Sequence, residues 1–299
     1  MASAHRPLRV VYATFGSGSG DLMKAASLST ALSRTGVEHE FTAVSNCEFH
    51  YLFEELFEHL YVRSQPEMLF RADLETDLYS AIRMAAPDVL IISMIWLPLF
   101  PVLHELPGYK VFIARKSFDR WWRIESPSGK RLSFDPDQYD AIFNVEPNYD
   151  LPWAETTEPL VIRNPDELVP REEARAALGA EDGRRLCVVA QNGYAGELDS
   201  ILAQRVADPG EYRIVPLQNT SEGKNIFPLA AYAKGIDFLV GGAGYNLFYE
   251  ARYFDIPSHM IPFERNGDDQ FWRVETNGDY SFSENGADQI ARRIVDMVS

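Results

Sequence analysis

The chain has 299 residues, enough for about two domains that each bury their own core, so a small disulfide-stapled scaffold is excluded. Hydrophobic residues make up 46 % of the chain and charged residues 24 %, which is typical of folded globular proteins rather than disordered ones. The net charge of −16, from 28 basic and 44 acidic residues, argues against nucleic acid as a partner but leaves room for a local site that binds one small anion.

The cysteines and the N-terminal residues indicate a cellular compartment. Cys47 and Cys187 are too few and too far apart for a metal cluster or a disulfide framework, and they favour a reducing environment. The first seven residues lead straight into an apolar strand without a signal-peptide pattern, and no apolar run approaches the roughly 20 residues that span a bilayer. The sequence therefore predicts a cytoplasmic protein.

In the first half of the chain, apolar runs of strand length alternate with helical patterns. The predicted strands are Leu8–Thr14, Glu40–Val44, Val89–Ser93, Tyr109–Ala114 and Ala141–Val145. Three helices are predicted. The first carries the apolar positions from Leu22 to Leu32 and ends at Gly36, and the other two are Glu48–Leu60 and Leu74–Ala86. Residues 115–137 are predicted to be irregular. An irregular segment of that length is unusual in a compact domain unless it has a function.

A proline-rich stretch from Glu146 to Pro170 marks the predicted domain boundary, and the alternation restarts beyond it. The predicted strands there are Leu186–Ala190, Tyr212–Leu217, Asp237–Val240 and Ser258–Ile261; the predicted helices are Ala195–Val206, Phe227–Lys234, Tyr245–Phe254, Asp269–Glu275 and Ala287–Val298. Parallel neighbouring strands need crossover connections, which this alternation provides. The predicted fold class is α/β, with two Rossmann-like, doubly wound domains, residues 1–150 and 151–299, facing a cleft.

A first glycine turn, Gly16 to Gly20, follows the first strand and opens the first helix, so its amides could receive an anion or a polar ligand. The spacing is GxGxG rather than GxGxxG, and no acidic residue ends the second strand, which disfavours a dinucleotide site. No Gly-Lys-Ser/Thr follows, which excludes a P-loop. A glycine turn without a ligand stays an alternative.

A second glycine turn, Gly241 to Gly244, leads from a strand into a helix whose N-terminal amides favour a diphosphate. Glu250 follows at the edge of the apolar face of that helix. A carboxylate there needs hydrogen-bond donors, and a ribose diol supplies two. The alternative is a surface glutamate.

Polar residues also follow the strand Ser258–Ile261. Asp269 and Gln270 place a carboxylate and an amide at the carboxyl edge of the sheet, where ligand clefts of α/β proteins lie. This pair suits the hydroxyl groups of a sugar. Alternatively, Asp268 or Asp269 caps the helix.

These residues carry a family resemblance. The stretch from Asp237 to Trp272, with its glycine turn, Tyr-Asn pair, glutamate, Ile-Pro-Phe and Asp-Gln, resembles the nucleotide-sugar signature of GT-B glycosyltransferases. It is most similar to glycosyltransferase family 28, the family of the peptidoglycan lipid-intermediate GlcNAc transferase. The first glycine turn resembles the Gly-rich loop of that family, with Asp21 in place of the usual histidine. Arg163-Asn164-Pro165 resembles the interdomain Gly-Asn-Pro segment, and Gln191-Asn192-Gly193 resembles the first glycine loop of the second domain.

The resemblance implies an inverting glycosyltransferase that moves a sugar from a nucleotide sugar, most simply UDP-linked, to a hydroxyl or amine of a small-molecule or lipid-linked acceptor. The donor is a co-substrate, and no cofactor is implied. No Asp-x-Asp follows any of the predicted strands to hold a metal, so amides at a helix N-terminus would offset the charge of the departing diphosphate. The donor-binding residues implied by position are Gly193, Gly242, Gly244, Tyr245, Asn246, Glu250, Asp269 and Gln270.

Asp21 is the predicted catalytic residue, because it lies where related inverting enzymes keep a catalytic histidine or aspartate. A carboxylate can accept the proton of the acceptor hydroxyl as its oxygen attacks the anomeric carbon. Asp21 also lies in the first helical turn, where the dipole stabilises its charge. A structural role in that turn and a role in acceptor binding stay open.

The predicted acceptor loop comprises Gly18, Gly20, Arg115, Trp121 and Trp122. Tryptophan can stack on a sugar ring and arginine can pair with an anionic group, although a solvated loop that packs one tryptophan on the domain is an equal alternative. The acidic residues Glu48, Glu54, Glu55 and Glu58 argue against a strong membrane patch on this domain.

Two other classes of function stay open. A sugar-nucleotide epimerase or another nucleotide-sugar enzyme fits the same predicted cleft. A non-catalytic nucleotide-sugar-binding subunit is the other class, although the presence of both halves in one chain argues against it. Action as a homodimer also stays open.

Overall fold

The computed structural model describes residues 6–16, 18–63, 77–125, 129, 131–219 and 226–299. The chain divides into two compact units, of which the first comprises residues 1–159 with 286–299 and the second comprises residues 160–285. Each unit contains a sheet of parallel strands. The predicted α/β fold class is confirmed.

The first unit is built on seven strands of one parallel sheet and on a separate hairpin. The strands are β1 (Leu8–Ala13), β2 (His39–Ser45), β3 (Glu58–Tyr61), β4 (Val89–Ser93), β5 (Tyr109–Ala114), β6 (Arg123–Glu125), β7 (Arg131–Ser133), β8 (Ala141–Asn144) and β9 (Glu155–Thr156). The sheet order is β3-β2-β1-β4-β5-β8-β9, and β6 pairs with β7. Every residue of β4 is buried, as expected for a strand covered on both faces.

The second unit has a four-stranded parallel sheet. Its strands are β10 (Arg185–Ala190), β11 (Tyr212–Leu217), β12 (Phe238–Gly242) and β13 (Ser258–Ile261). The sheet order is β11-β10-β12-β13, so β12 lies between β10 and β13. Because the strands are parallel, the loops that follow β10, β12 and β13 leave the same edge of the sheet.

The helices connect these strands. The α-helices are α1 (Gly20–Arg34), α2 (Asp77–Ala85), α3 (Trp96–Leu99), α4 (Arg171–Ala177), α5 (Glu197–Ala203), α6 (Tyr245–Tyr253), α7 (Gln270–Asn277) and α8 (Gly286–Val298). Short 3-10 helices cover Glu48–Leu52, Leu103–Glu105, Asp119–Trp121, Pro136–Gln138, Pro165–Glu167 and Leu229–Gly235. Among the described helices, none is long and apolar enough to cross a bilayer.

The C-terminal helix α8 packs in the first unit. Arg34 at the end of α1 pairs with Asp288 at 2.7 Å, and Arg293 pairs with Glu155 at 3.1 Å. The backbone N–H of Glu158 also donates to the side chain of Gln289 at 2.9 Å. These contacts join segments far apart in sequence, so a helix that follows the second unit along the chain completes the first.

The predicted helix over Glu48–Leu60 is wrong beyond its first residues. A 3-10 helix ends at Leu52, and β3 then pairs in parallel with β2, with Glu58 opposite Thr42. The aromatic residues that suggested a helix pack instead in turns, where the rings of Phe53 and Phe57 stack 5.6 Å apart. Pairing with the edge of the sheet overrides the local helical spacing here.

Two further predictions differ in detail. Residues 115–137, predicted to be irregular, contain a 3-10 turn and the hairpin of β6 and β7. Residues 126–128 and 130 of this segment lie outside the described residues, as do residues 74–76 of the predicted helix Leu74–Ala86 and Ser17 of the first glycine turn.

Gly108 permits a close approach of two backbone segments in the first unit. It has φ +80°, and a Cβ atom there would lie 2.6 Å from the carbonyl oxygen of Pro87. Gly36 has a similar φ of +76°, but no atom lies within 4 Å of the same position. We expect Gly36→Ala to cost about 1–2 kcal/mol for the left-handed conformation, and Gly108→Ala to cost about 1–3 kcal/mol more for the clash. Urea unfolding of both variants measures the difference, and equal losses would contradict the close approach.

Candidate functional site

Three loops meet at the carboxyl edge of the sheet in the second unit. Ala190 is the register partner of Gly241, and Gly242 is the register partner of Ile261. The ends of β10, β12 and β13 therefore lie side by side, and residues 191–193, 243–244 and 262–265 follow them. The loops predicted to bind the donor are neighbours in the fold.

Within the second glycine turn, Gly241 and Gly242 lie against other atoms of the protein, whereas the space beside Gly244 is open. A Cβ atom at Gly241 would lie 2.6 Å from the carbonyl oxygen of Ala190, and one at Gly242 would lie 2.6 Å from Oε1 of Gln191. At Gly244, by contrast, no described atom lies within 4 Å of that position. Gly244 is the N-cap of α6 and provides no side-chain cap, so the first amides of the helix are suited to receive an anion.

Glu250, in the second turn of α6, is buried rather than at the surface. Only 7 % of the residue is exposed, and its carboxyl group makes no hydrogen bond or ion pair with the described residues. Burial raises the pKa of its carboxyl group from 4.5 to about 8. A buried carboxyl group without a donor among the described residues can be stabilised by donors that a ligand brings.

The two residues that open α6 have different surroundings. The Tyr245 hydroxyl accepts a hydrogen bond from the backbone N–H of Leu160 at 2.9 Å, and its ring meets that of Tyr249 edge to face at 5.0 Å. Its side chain therefore belongs to the core of the second unit, and its backbone N–H is the group at the glycine turn. Asn246 is the second residue of the helix.

Asp269 and Gln270 form hydrogen bonds that shape the start of α7. Asp269 is the N-cap and accepts from the backbone N–H of Trp272 at 3.1 Å, so the capping alternative is observed. Gln270 is buried, accepts from the backbone N–H of Phe263 at 3.0 Å and donates to Asp268 at 3.2 Å. Contact of these two residues with a sugar stays a prediction.

Sequence reasoning missed Arg273, a fully buried arginine next to the glycine turn. Its guanidinium pairs with Asp268 at 2.6 Å and donates to the carbonyl oxygen of Ala243 at 3.0 Å. It therefore joins the start of α7 to the second glycine turn. The sequence signal was weak, because an arginine one turn into a helix is usually exposed.

Sequence reasoning also missed the pair of Glu197 and Arg265. Their side chains approach to 2.7 Å although the residues are 68 positions apart. Glu197 also accepts from the side chain of Gln191 at 2.6 Å and from the backbone N–H of Tyr194 at 3.0 Å. A Cβ atom at Gly193 would lie 2.6 Å from Nε2 of Gln191 and would collide with the Glu197 carboxylate, so any larger residue there would have to displace these two side chains.

In the first unit, Asp21 lies in the first turn of α1 and forms an ion pair with Lys24 through Oδ1. The Lys24 side chain is 3 % exposed and that of Asp21 is 19 % exposed. Oδ2 of Asp21 makes no hydrogen bond to the described residues and lies 2.9 Å from where a Cβ atom of Gly16 would be. Burial and the charge of Asp21 raise the pKa of the neighbouring Tyr12 well above its ordinary value.

The predicted acceptor residues are distributed over several elements. Gly18 accepts a hydrogen bond from the thiol of Cys47 at 3.5 Å, Gly20 begins α1, and Arg115 follows β5. Trp121 donates to the carbonyl oxygen of Met94 at 3.0 Å, and Trp122 donates to the Tyr149 hydroxyl at 3.2 Å.

Both tryptophans pack on the core of the first unit. The ring of Trp122 lies 5.2 Å from that of Phe134 and 6.2 Å from that of Phe112. Packing on the domain, the alternative to acceptor binding, is thus observed for both side chains. A role of these residues toward an acceptor stays a prediction.

Metal-ligating side chains and thiols are the remaining features of the described residues. That part of the chain contains no group of three or more His, Cys, Asp or Glu residues that could hold a metal ion. Cys47 and Cys187 are free thiols, and burial raises the pKa of each to about 11.

Comparison with known proteins gives likeness of structure without likeness of sequence. No protein-family model matches the chain, and no curated protein sequence matches it. Solved structures do match. The glycosyltransferase SnogD from Streptomyces nogalater has a TM-score of 0.57 at 12 % identity, and the match covers 98 % of this chain and 100 % of that chain.

Two further solved structures are similar over nearly the whole chain. The glycosyltransferase SsfS6 from Streptomyces sp. SF2575, in complex with thymidine diphosphate, has a TM-score of 0.56 at 14 % identity, covering 97 % of this chain and 95 % of that chain. A protein described as a UDP-N-acetylglucosamine 2-epimerase from Listeria monocytogenes has a TM-score of 0.54 at 9 % identity, covering 98 % and 88 %.

At such low identity the likeness concerns the fold, and it does not single out family 28. Most of the similar structures are glycosyltransferases, including two that are named for spinosyn and one for calicheamicin. The chain has the α/β fold of GT-B glycosyltransferases.

Proposed function

We propose that this protein is a glycosyltransferase that moves a sugar from a nucleoside-diphosphate sugar to a hydroxyl or amine acceptor and needs no metal ion. The observation that carries the proposal is Glu250, a buried carboxyl group without a partner among the described residues, in the helix that begins at the open Gly244. A nucleoside diphosphate brings a phosphate anion for the amides at the start of α6 and sugar hydroxyl groups that can donate to Glu250.

The donor binds through its diphosphate and its ribose. The diphosphate receives the backbone N–H groups at the start of α6, where the helix dipole favours negative charge and where Gly244 lets phosphate approach the backbone. The ribose hydroxyls donate to Glu250, which compensates for its burial. Residues Asp269 and Gln270, at the end of the β13 loop, contact the donor sugar.

Asp21 acts as the base of the reaction. The acceptor oxygen attacks the anomeric carbon and its proton passes to Oδ2 of Asp21, while the bond from the anomeric carbon to the diphosphate oxygen breaks. Lys24 holds the other carboxylate oxygen and fixes the orientation of the carboxylate. A single displacement of this kind inverts the configuration of the anomeric carbon. The amides of α6 stabilise the charge that develops on the departing diphosphate.

The donor nucleotide is uridine diphosphate or thymidine diphosphate. The family resemblance of the second glycine turn favours UDP, whose ribose offers two hydroxyl groups to Glu250. The similar SsfS6 was solved with thymidine diphosphate, whose deoxyribose offers one. Calorimetric titration with UDP, TDP, GDP and ADP tests this site directly. We expect binding of UDP or TDP, and absence of binding by all four would contradict the proposed donor site.

A second candidate is a nucleotide-sugar epimerase, because one similar structure is described as such an enzyme. Incubation with UDP- and TDP-sugars, alone and with a panel of hydroxyl and amine acceptors, separates the two activities. A transferase makes a glycosylated acceptor and releases the nucleoside diphosphate. An epimerase converts the donor into an isomer in the absence of any acceptor, and a binding subunit leaves the donor unchanged under both conditions.

A further inference from the structure

A charged cluster lies beside the second glycine turn, and the proposed mechanism does not use it. It consists of Gln191, Tyr194, Glu197 and Arg265, and we call it the Arg265 cluster. The Arg265 guanidinium is held by the carboxylate of Glu197 and lies over the ring of Tyr194, 4.6 Å from its centroid.

We propose that Arg265 is a further residue of the donor site, where it binds the diphosphate and offsets its charge, and that Glu197 holds the guanidinium until the diphosphate competes for it. The inference rests on the proposed function, since it presumes that a nucleoside diphosphate binds at the second glycine turn. It adds a cation to a site in which the proposed mechanism uses only backbone amides.

The topology places the Arg265 cluster next to that turn. Because β12 lies between β10 and β13, the loops that carry Gln191 and Arg265 flank the turn that follows β12. The Gln191 side chain connects them, since its amide lies 2.6 Å from where a Cβ atom of Gly242 would be and donates to Glu197 at 2.6 Å. The Gln191 side chain and the Glu197 carboxylate therefore lie between the second glycine turn and the Arg265 guanidinium.

The hydrogen bonds of Arg265 leave donors for a ligand. Nη1 donates to the backbone carbonyl of Glu264 at 3.0 Å, and Nη2 donates to Glu197 at 2.8 Å. Nε makes no hydrogen bond to the described residues, and the side chain is 18 % exposed. A guanidinium has five N–H donors and forms strong, charge-assisted hydrogen bonds with phosphate.

The other arginine at the turn is already neutralised. Arg273 is fully buried, is paired with Asp268 and donates to Ala243, so its role in the structure is to brace the loop. The Arg265 side chain is more exposed than that of Arg273. In a chain with a net charge of −16, a local cation matters for holding a doubly charged leaving group.

The cluster can release Arg265 at small cost. Glu197 keeps two other donors, the Gln191 amide and the backbone N–H of Tyr194, so its carboxylate stays hydrogen-bonded when the guanidinium turns away. The rings of Tyr194 and Phe263 lie 4.6 Å and 5.5 Å from the guanidinium carbon and provide apolar faces along which it can move. Exchange of one anion for another thus leaves no buried charge without a partner.

Two substitutions with opposite expected effects test the proposal. Arg265→Met removes the cation and is expected to weaken binding of UDP or TDP on the order of tenfold to a hundredfold, with little change for uridine or thymidine, which carry no phosphate. Glu197→Gln removes the competing charge and is expected to tighten binding of the same diphosphate by a few fold. Both affinities are measured by calorimetry, at low and at high salt, and the salt dependence should be smaller in Arg265→Met.

If Arg265 and Glu197 only stabilise the structure, the two variants are expected to change the affinities in a different pattern. Both variants would then weaken binding, and nucleoside and nucleoside diphosphate would be affected equally; either result overturns the proposal, as does an unchanged diphosphate affinity in Arg265→Met. If Arg265→Met does not fold, Arg265→Lys, which keeps the charge but loses the planar fork, replaces it, and a partial loss restricted to the diphosphate is expected. If the wild-type protein binds no nucleoside diphosphate, the proposed function and this inference fail together, whereas binding without dependence on Arg265 leaves the proposed function intact.

Discussion

Asp21→Asn is expected to lower kcat for sugar transfer by about 10²–10⁴-fold, the usual contribution of a general base. Asparagine keeps the shape of the side chain but has no carboxylate to accept the acceptor proton. Affinity for the nucleoside diphosphate is expected to stay the same, because the proposed donor-binding residues lie in the second unit. Steady-state kinetics with saturating donor, together with calorimetry of the nucleoside diphosphate, measures both quantities.

The chain offers a matched control for this substitution. Asp288 also lies in the first turn of a helix, pairs with an arginine at 2.7 Å and has a side-chain exposure of 20 %, against 19 % for Asp21. Asp288→Asn therefore removes a similar ion pair from the same unit and is expected to lower stability without lowering kcat. Equal losses of kcat in the two variants would show that Asp21 acts through stability, and an unchanged kcat in Asp21→Asn would remove it as the base.

Nucleoside diphosphate affinity is expected to rise with pH up to about 8 and then level off, because burial holds the pKa of Glu250 at about 8. In the proposed donor site the ribose hydroxyls donate to the ionised carboxylate, so below that pH binding must first release a proton. The affinity then changes by up to about tenfold per pH unit. Titration between pH 6 and 9, in buffers with different enthalpies of ionisation, measures both the affinity and the proton that is released.

Glu250→Gln is expected to bind the nucleoside diphosphate weakly and without this pH dependence. Glu275→Gln, which removes an acidic side chain at an exposed position of α7, serves as the control and should leave the profile unchanged. A pH-dependent affinity that survives in Glu250→Gln would exclude Glu250 as its source.

The same pKa shift predicts how the stability of the ligand-free protein depends on pH. The folded state keeps a proton on Glu250 between about pH 4.5 and pH 8, where the unfolded state has released it. The contribution of Glu250 to the free energy of unfolding is therefore largest below pH 4.5. It falls as the pH rises toward 8, by up to about 1.4 kcal/mol per pH unit. Urea unfolding of the wild-type protein and of Glu250→Gln across this range measures the contribution, which should be absent in the variant.

Much of the architecture follows from short stretches of sequence. The strands β1, β4, β5 and β10 are largely apolar runs without alternation, and their last four or more residues are buried, as expected in a sheet covered on both faces. The glycine turns after β1 and β12 are local signals as well, because glycine permits the sharp turn and the close backbone approach that join a strand to the N-terminus of a helix. These local features suffice to place the candidate site at the carboxyl ends of strands.

Local patterns failed where pairing between distant segments decides the structure. The aromatic residues between Glu48 and Leu60 have helical spacing, yet the edge of the sheet captures Glu58–Tyr61 as a strand. Helix α8 follows the second unit in sequence and packs in the first, where it contacts α1 and buries the apolar side chains of Ile290, Ala291 and Ile294.

The sequence by itself determined the fold class, the two glycine turns and the position of Glu250 on the helix after the second turn, since each depends on residues that are neighbours along the chain. Only the tertiary structure decided that Glu250 is buried without a partner among the described residues, that Asp269 caps a helix, and that Arg265 lies against Glu197. Burial and ion pairing depend on which segments meet in space. Arg265 and Glu197 are 68 positions apart, and no local pattern in the sequence reveals their contact.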